Sequence, residues 1–128
     1  MARILIVDDN EEIAHLVSII LGRNGYDVEI ALDGDECIEK LNSFRPDLIL
    51  MDYFMPGKDG VKVSKIIKSD ERFRNIPIIL FTIMSVEEGL HEAVEEAGAV
   101  DYIQKPFDIE KMLEKVKRAL SAAPLPAN

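Results

Sequence analysis

The stretch Ile4-Leu5-Ile6-Val7-Asp8-Asp9 places two carboxylates directly after an uninterrupted apolar run. The same arrangement returns in Leu48-Ile49-Leu50-Met51-Asp52, where four apolar residues are followed by an aspartate. A short continuous apolar run is typical of a strand that is buried on both faces of a parallel sheet. The two stretches therefore predict central strands of one parallel sheet, each followed by acidic side chains.

Two further runs are followed by a residue that can contact an anion. Thr82 follows Ile78-Ile79-Leu80-Phe81, and Lys105 follows Tyr102-Ile103-Gln104. The carboxyl ends of parallel strands meet at one edge of the sheet, and open α/β sheets bind their ligands outside that edge. We therefore expect the aspartates, the threonine hydroxyl and the lysine ammonium to form a single site.

Helical patterns separate the apolar runs, so that strands and helices alternate five times. Asn10 is a candidate N-cap for the first helix and Gly25 a candidate stop, while Ser85 and Glu88 form a capping box for the fourth helix. The remaining predicted strands are Asp27–Leu32, a strand ending at Asp52, Ile76–Thr82 and Val100–Gln104. The remaining predicted helices are Gly34–Phe44, a helix around Val61–Ser69, a fourth helix that runs from Ser85 to Gly98 and a last helix from Asp108.

This alternation predicts an α/β fold, namely a doubly wound parallel sheet of five strands with helices on both faces. Strands two and five alternate apolar with polar residues, which suits the edges of the sheet. The expected strand order is 2-1-3-4-5, the flavodoxin-like (βα)5 arrangement. In this order the chain changes direction between strands one and three, so Asp8, Asp9 and Asp52 are expected to meet.

The composition fits one globular domain of 128 residues with 48% hydrophobic and 30% charged residues. We place the domain at residues 1–121 and a flexible tail or linker stump at 122–128. No run approaches the roughly 20 apolar residues of a membrane span. The single cysteine, Cys37, fits a reducing cytoplasm. A net charge of −9 without a Lys/Arg stripe predicts no direct binding of nucleic acid by this domain.

Three neighbouring carboxylates repel one another unless a cation lies between them. Mg²⁺ prefers oxygen ligands and is usually held by one or two carboxylates together with a phosphate. We predict that Asp8 and Asp9 are metal ligands and that Asp52, on the central strand, is a nucleophile that forms an aspartyl-phosphate. Lys105 would neutralise a phosphoryl oxygen, and the Thr82 hydroxyl would donate a hydrogen bond to another.

The chain resembles a response-regulator receiver domain, the phospho-accepting partner of sensor histidine kinases in two-component systems. The resemblance covers roughly residues 2–120. It depends on the following segments in this order: Ile4-Leu5-Ile6-Val7-Asp8-Asp9-Asn10, Pro46-Asp47-Leu48-Ile49-Leu50-Met51-Asp52, Met55-Pro56-Gly57-Lys58-Asp59-Gly60, Thr82, Gly98-Ala99 and Asp101-Tyr102-Ile103-Gln104-Lys105-Pro106-Phe107.

The resemblance implies a role for each site residue. Asp52 would be the phosphorylated residue, and Asp8, Asp9, Asp52 and the main-chain carbonyl of Phe54 would hold Mg²⁺. Thr82 and Tyr102 would be the switch pair, and Lys105 the phosphoryl contact. The resemblance also implies a cis peptide bond between Lys105 and Pro106.

The implied function is that of a signalling switch rather than an enzyme. A histidine kinase or a histidine phosphotransfer protein would donate the phosphoryl group, and the domain would catalyse only its own phosphorylation and dephosphorylation. The face made by helix four, strand five and helix five would then control a downstream protein or an output domain, with homodimerisation on phosphorylation as a further option.

Three residues near the expected site depart from the usual receiver pattern. Ile83 is bulky where receivers usually carry a small residue, which bears on how freely a donor reaches Asp52. Phe54 and Met84 are both apolar, whereas many fast-hydrolysing receivers carry a polar group at one of these positions. Our hypothesis is that Ile83, Phe54 and Met84 shield the phosphoryl group from water.

Three alternatives remain open. A small phosphohydrolase would also use an aspartyl-phosphate, but it usually carries an acid/base aspartate two residues after the nucleophile, where this chain has Phe54. A flavodoxin-like redox carrier would need a Ser/Thr/Gly-rich phosphate loop after strand one, where this chain has acidic residues. A receiver that has lost phosphorylation would serve as a constitutive docking module, and Ile83 is the feature in its favour.

Overall fold

The computed structural model describes residues 1–122, which form a five-stranded parallel sheet with helices on both faces. The elements in chain order are β1 (Arg3–Val7), α1 (Glu11–Arg23), β2 (Asp27–Ala31), α2 (Gly34–Phe44), β3 (Leu48–Asp52), α3 (Gly60–Ser69), β4 (Ile78–Thr82), α4 (Leu90–Ala97), β5 (Asp101–Gln104) and α5 (Ile109–Ser121). The strand order is β2-β1-β3-β4-β5. The predicted fold class and strand order are therefore confirmed.

The sheet separates two apolar cores. Every residue of β3 and β4 is buried, as are the last four of β1, whereas the edge strands β2 and β5 are partly exposed. One core contains Leu5, Ile49 and Leu80 together with residues of α2, α3 and α4, and the other contains Ile4, Leu50 and Phe81 together with residues of α1 and α5. The continuous apolar runs thus mark strands that pack on both faces.

Short polar caps fix the helix starts that follow the strands. The side chain of Asn10 accepts a hydrogen bond from the backbone of Ile13, as predicted. Asp33, Asp59 and Asp108 cap α2, α3 and α5 in the same way. Such caps satisfy backbone N–H groups that have no partner within the helix. They hold four helices at the carboxyl edge of the sheet, beside the expected site.

The fourth helix begins at Leu90, and the prediction that it begins at Ser85 is wrong. The capping box does form, since the Ser85 backbone donates to Glu88 Oε1 at 3.0 Å and the Glu88 backbone donates to Ser85 Oγ at 3.3 Å. Gly89 then adopts a φ of +102°, which ends the turn before a helix can continue. The box closes a separate turn that precedes α4.

The helix α4 packs on the core through three buried residues, Leu90, Ala93 and Ala97. Val86, in the preceding turn, is 46% exposed. The starts of two strands differ slightly from the prediction, because β4 begins at Ile78 and β5 begins at Asp101.

The tail predicted at 122–128 lies outside the described residues except for Ala122. Within residues 1–122, no helix is long and apolar enough to span a membrane.

Candidate functional site

The structure brings the predicted aspartates together at the carboxyl edge of the sheet. Val7 of β1 pairs with Met51 of β3, so Asp8 and Asp52 come one residue later on adjacent strands. Asp8, Asp9 and Asp52 each offer a carboxylate oxygen, and these oxygens lie within 4.8 Å of one another. This is the meeting point that the strand order predicts.

Two of these carboxylates are almost completely buried. Asp8 is 1% exposed and Asp52 is 5% exposed, whereas Asp9 faces solvent. Burial, together with the negative charge of Asp8, raises the pKa of Asp52 from its ordinary value of 3.8 to about 7, and the positive charge of Lys105 opposes this rise. Without a cation, the protonated and ionised forms of Asp52 would therefore be present in comparable amounts at neutral pH.

Lys105 supplies the positive charge within this cluster. Its Nζ lies 2.7 Å from Asp8 Oδ2 and 3.5 Å from Asp52 Oδ1, and its side chain is only 14% exposed. The backbone N–H of Lys105 donates to the Thr82 carbonyl at 2.8 Å, which ties the end of β5 to β4. The Lys105–Pro106 peptide bond is cis, as the resemblance implies. Lys105 thus pairs first with Asp8 and lies just beyond hydrogen-bond distance of Asp52.

Thr82 and Tyr102 occupy neighbouring strands near the same edge. Thr82 ends β4, is fully buried, and its Oγ1 accepts a hydrogen bond from the Met84 backbone at 3.1 Å. Tyr102 pairs in register with Leu80 and is half-buried against the core that contains Met84. The hydroxyl of Thr82 is therefore already engaged by the loop that follows β4.

The loop after β3 leaves the main-chain carbonyl of Phe54, two residues after Asp52, without a hydrogen bond among the described residues. The Gly60 N–H donates to the Tyr53 carbonyl at 2.8 Å, whereas none of the hydrogen bonds within residues 1–122 reaches the Phe54 carbonyl. Three carboxylates whose oxygens lie within 4.8 Å of one another form the oxygen-rich donor set that a hard divalent cation prefers. The residues present therefore fit Mg²⁺.

Gly60 was named from the sequence only as the end of the segment that begins at Met55, without a role in the site. A Cβ atom built at this position would overlap the Asp52 carbonyl oxygen, so only glycine allows the start of α3 to approach the end of β3 so closely. The available signal was its position, directly after the Asp59 N-cap. Gly60 therefore fixes the backbone on which Asp52 and Phe54 are carried.

The three residues of the shielding hypothesis occupy different environments. Ile83 is 66% exposed and Phe54 is 50% exposed, and they come two residues after the register pair of Phe81 with Asp52. Met84 is buried in the core that also contains Leu90. Phe54 and Ile83 are thus available to cover the site, whereas Met84 packs inside the domain.

Comparisons with known proteins agree with this geometry. The pattern of the response regulator receiver domain matches residues 4–117. The DNA-binding dual master transcriptional regulator RpaA of Synechocystis is 40% identical over 120 residues, which cover 94% of this chain and 49% of that protein. The phosphate regulon transcriptional regulatory protein PhoB of Escherichia coli is 36% identical over 92% of this chain and 51% of its own length.

A solved structure shows the same likeness in three dimensions. Chemotaxis protein CheY4 of Vibrio cholerae superimposes with a TM-score of 0.85 at 33% identity, and the match covers 93% of this chain and 98% of that one. The chain spans about half the length of the curated relatives it matches. Because the family pattern matches residues 4–117 and a relative 40% identical matches over 94% of the chain, this chain belongs to the response regulator receiver domain family.

Proposed function

We propose that this domain accepts a phosphoryl group on Asp52 from the phosphohistidine of a histidine kinase or a histidine phosphotransfer protein. The observation that supports this most directly is the cluster of Asp8, Asp9 and Asp52 with Lys105 at the carboxyl edge of the sheet, in which Asp8 and Asp52 are buried. Asp8, Asp9, Asp52 and the Phe54 carbonyl would hold Mg²⁺, which would neutralise negative charge on the carboxylates and on the phosphoryl oxygens. We assign the domain to residues 1–121 and its location to the cytoplasm.

The chemical step is a phosphoryl transfer between two side chains. A carboxylate oxygen of Asp52 forms a bond to phosphorus while the phosphorus–nitrogen bond of phosphohistidine breaks, and the departing imidazole keeps the electron pair and takes a proton from solvent. Asp52 must be ionised to attack, although burial raises its pKa to about 7. A cation at the cluster would lower that pKa and would weaken the pairing of Lys105 with Asp8, which frees Lys105 for a phosphoryl oxygen.

The acceptor can be located by reductive trapping. The protein is incubated with Mg²⁺ and acetyl phosphate and then treated with borohydride, which reduces an acyl phosphate to the alcohol. We expect peptide mass spectrometry to find a single converted residue, at position 52, because the Asp52 carboxylate is the one on the central strand β3. Omission of acetyl phosphate is the control, and conversion at Asp8, Asp9 or elsewhere instead of Asp52 would contradict the proposal.

The output would be a shift between two arrangements of the α4–β5–α5 face. A phosphoryl group on Asp52 would recruit the Thr82 hydroxyl away from the Met84 backbone, to which it is now bound at 3.1 Å. Tyr102 would then change position, and the altered face would bind a downstream protein or an output domain, or pair with a second copy of the chain. Reversing a 1:99 population needs about 5.5 kcal/mol, which charge-assisted hydrogen bonds to a dianion can largely supply.

Replacement of Phe54 by asparagine is expected to accelerate the loss of the phosphoryl group severalfold. The half-exposed Phe54 side chain would no longer exclude water from the site, and an amide could hold a water near the phosphorus. The rate is measured from the decay of the phosphorylated intact mass after removal of the donor. The matched control is Ile66→Asn on α3, where an exposed apolar residue is also replaced. Equal decay rates in the parent and Phe54→Asn would refute the shielding hypothesis.

A further inference from the structure

Two side chains from different helices contact the ring of Tyr102. The His91 ring of α4 lies edge-on to it, with the ring centroids 5.8 Å apart. The Lys115 Nζ of α5 lies 4.2 Å from the centroid of the Tyr102 ring, which is the range of a cation–π contact. The ring of Tyr102 is therefore held between α4 and α5 in this structure.

The ammonium of Lys115 is fixed independently of that ring. It donates a hydrogen bond to the Tyr102 main-chain carbonyl and lies 3.3 Å from Asp101 Oδ1. The same carboxylate oxygen of Asp101 accepts a hydrogen bond from the Tyr102 backbone N–H at 2.7 Å. Both Lys115 and Asp101 are only about one quarter exposed, so water competes weakly for these contacts. Lys115 is thus anchored to the backbone of β5 and not to the movable part of Tyr102.

We propose that Lys115 is a positioning residue that stabilises the resting orientation of Tyr102 and so opposes the switch to the phosphorylated arrangement. The inference rests on the proposed switch role of Tyr102. Because the ammonium is held by the Tyr102 carbonyl and by Asp101, it cannot follow the ring when the side chain rotates. Rotation therefore breaks the cation–π contact, and phosphorylation has to offset that loss.

The test uses the full chain labelled with 3-fluorotyrosine and observed by ¹⁹F NMR. The Tyr102 resonance is assigned with Tyr102→Phe, and Mg²⁺ with beryllofluoride serves as the mimic of the phosphoryl group. For Lys115→Gln we expect the free protein's Tyr102 resonance to move toward its beryllofluoride-bound position. Beryllofluoride should also bind about two- to fivefold more tightly, because the switch no longer has to break the cation–π contact, and a partly exposed contact of this kind stabilises by that factor.

Two further variants separate a positioning role from a general structural one. Lys115→Arg should restore the resonance and the affinity of the parent, because a guanidinium also stacks on an aromatic ring. Lys117→Gln, which removes an exposed lysine of the same helix, should change neither.

Each remaining outcome decides the question. An unchanged Tyr102 resonance in free Lys115→Gln would show that Lys115 does not hold the ring, and the proposal would fail. A shifted resonance with unchanged beryllofluoride affinity would show that the contact exists without opposing the switch, which also overturns it. Failure of beryllofluoride to bind the parent would instead overturn the phospho-acceptor function, and with it the switch that Lys115 is proposed to oppose.

Discussion

Replacement of Asp52 by asparagine should stabilise the metal-free protein at pH 8 by up to about 4 kcal/mol, because the ordinary pKa of 3.8 rises to about 7 in the folded state. The carboxylate is buried beside Asp8, and Lys105 pairs more closely with Asp8 than with Asp52. An asparagine of nearly the same shape carries no charge and avoids this cost. The free energy of unfolding is measured by urea denaturation of both proteins.

The extra stability of Asp52→Asn over the parent should increase as the pH rises. A carboxyl group whose folded-state pKa is raised contributes its full stability below the unfolded pKa and loses it as pH rises toward the folded pKa. The advantage of Asp52→Asn should therefore be small near pH 4, grow between pH 4 and pH 7, and then level off. Added Mg²⁺ should reduce it at pH 8 by stabilising the parent. A difference that is constant from pH 4 to pH 8 would contradict this account of the site.

Replacement of Gly60 by alanine should destabilise the protein by about 3 kcal/mol, the upper range for forcing an atom into a packed site. The added Cβ would overlap the Asp52 carbonyl oxygen, and the backbone of α3 or β3 would have to move. The same movement would displace the Phe54 carbonyl and the Asp52 carboxylate, so Mg²⁺ affinity should fall as well. Urea denaturation measures the free energy of unfolding, and calorimetric titration with Mg²⁺ measures the Mg²⁺ affinity.

Gly22 offers a matched control for that substitution. It lies within α1, and a Cβ atom there would have no heavy atom within 4 Å apart from the backbone of its own helix and its chain neighbours. Gly22→Ala should stabilise the protein by up to about 1 kcal/mol through helix propensity and should leave Mg²⁺ affinity unchanged. If Gly60→Ala and Gly22→Ala had similar effects on stability and on Mg²⁺ affinity, the close approach of α3 to β3 would not be what shapes the site.

The fold was predictable because its decisive signals are local in sequence. The uninterrupted apolar runs of β1, β3 and β4 distinguish buried central strands from the alternating edge strands β2 and β5. Once the strand order is known, residues that follow the strands must meet at one edge, which is why Asp8, Asp52 and Lys105 were predicted to lie together.

Features that depend on tertiary geometry were not predictable in the same way. The capping box of Ser85 and Glu88 forms as its sequence indicates, yet the positive φ of Gly89 delays α4 until Leu90. The contact of Lys115 with Tyr102 depends on how α5 is rotated against β5, and sequence spacing does not determine that rotation. The burial of Met84 likewise depends on how α4 packs on the sheet.

The most direct test of the central claim is the intact mass of the protein after incubation with Mg²⁺ and acetyl phosphate, measured in parallel for the parent and Asp52→Asn. A third sample, in which a chelator removes the metal, controls for transfer that does not need Mg²⁺. We expect the parent to gain one phosphoryl group only when Mg²⁺ is present, and Asp52→Asn to gain none. Equal gain by both proteins, or no gain by a parent that still binds Mg²⁺, would contradict the proposal that Asp52 is the phosphoryl acceptor.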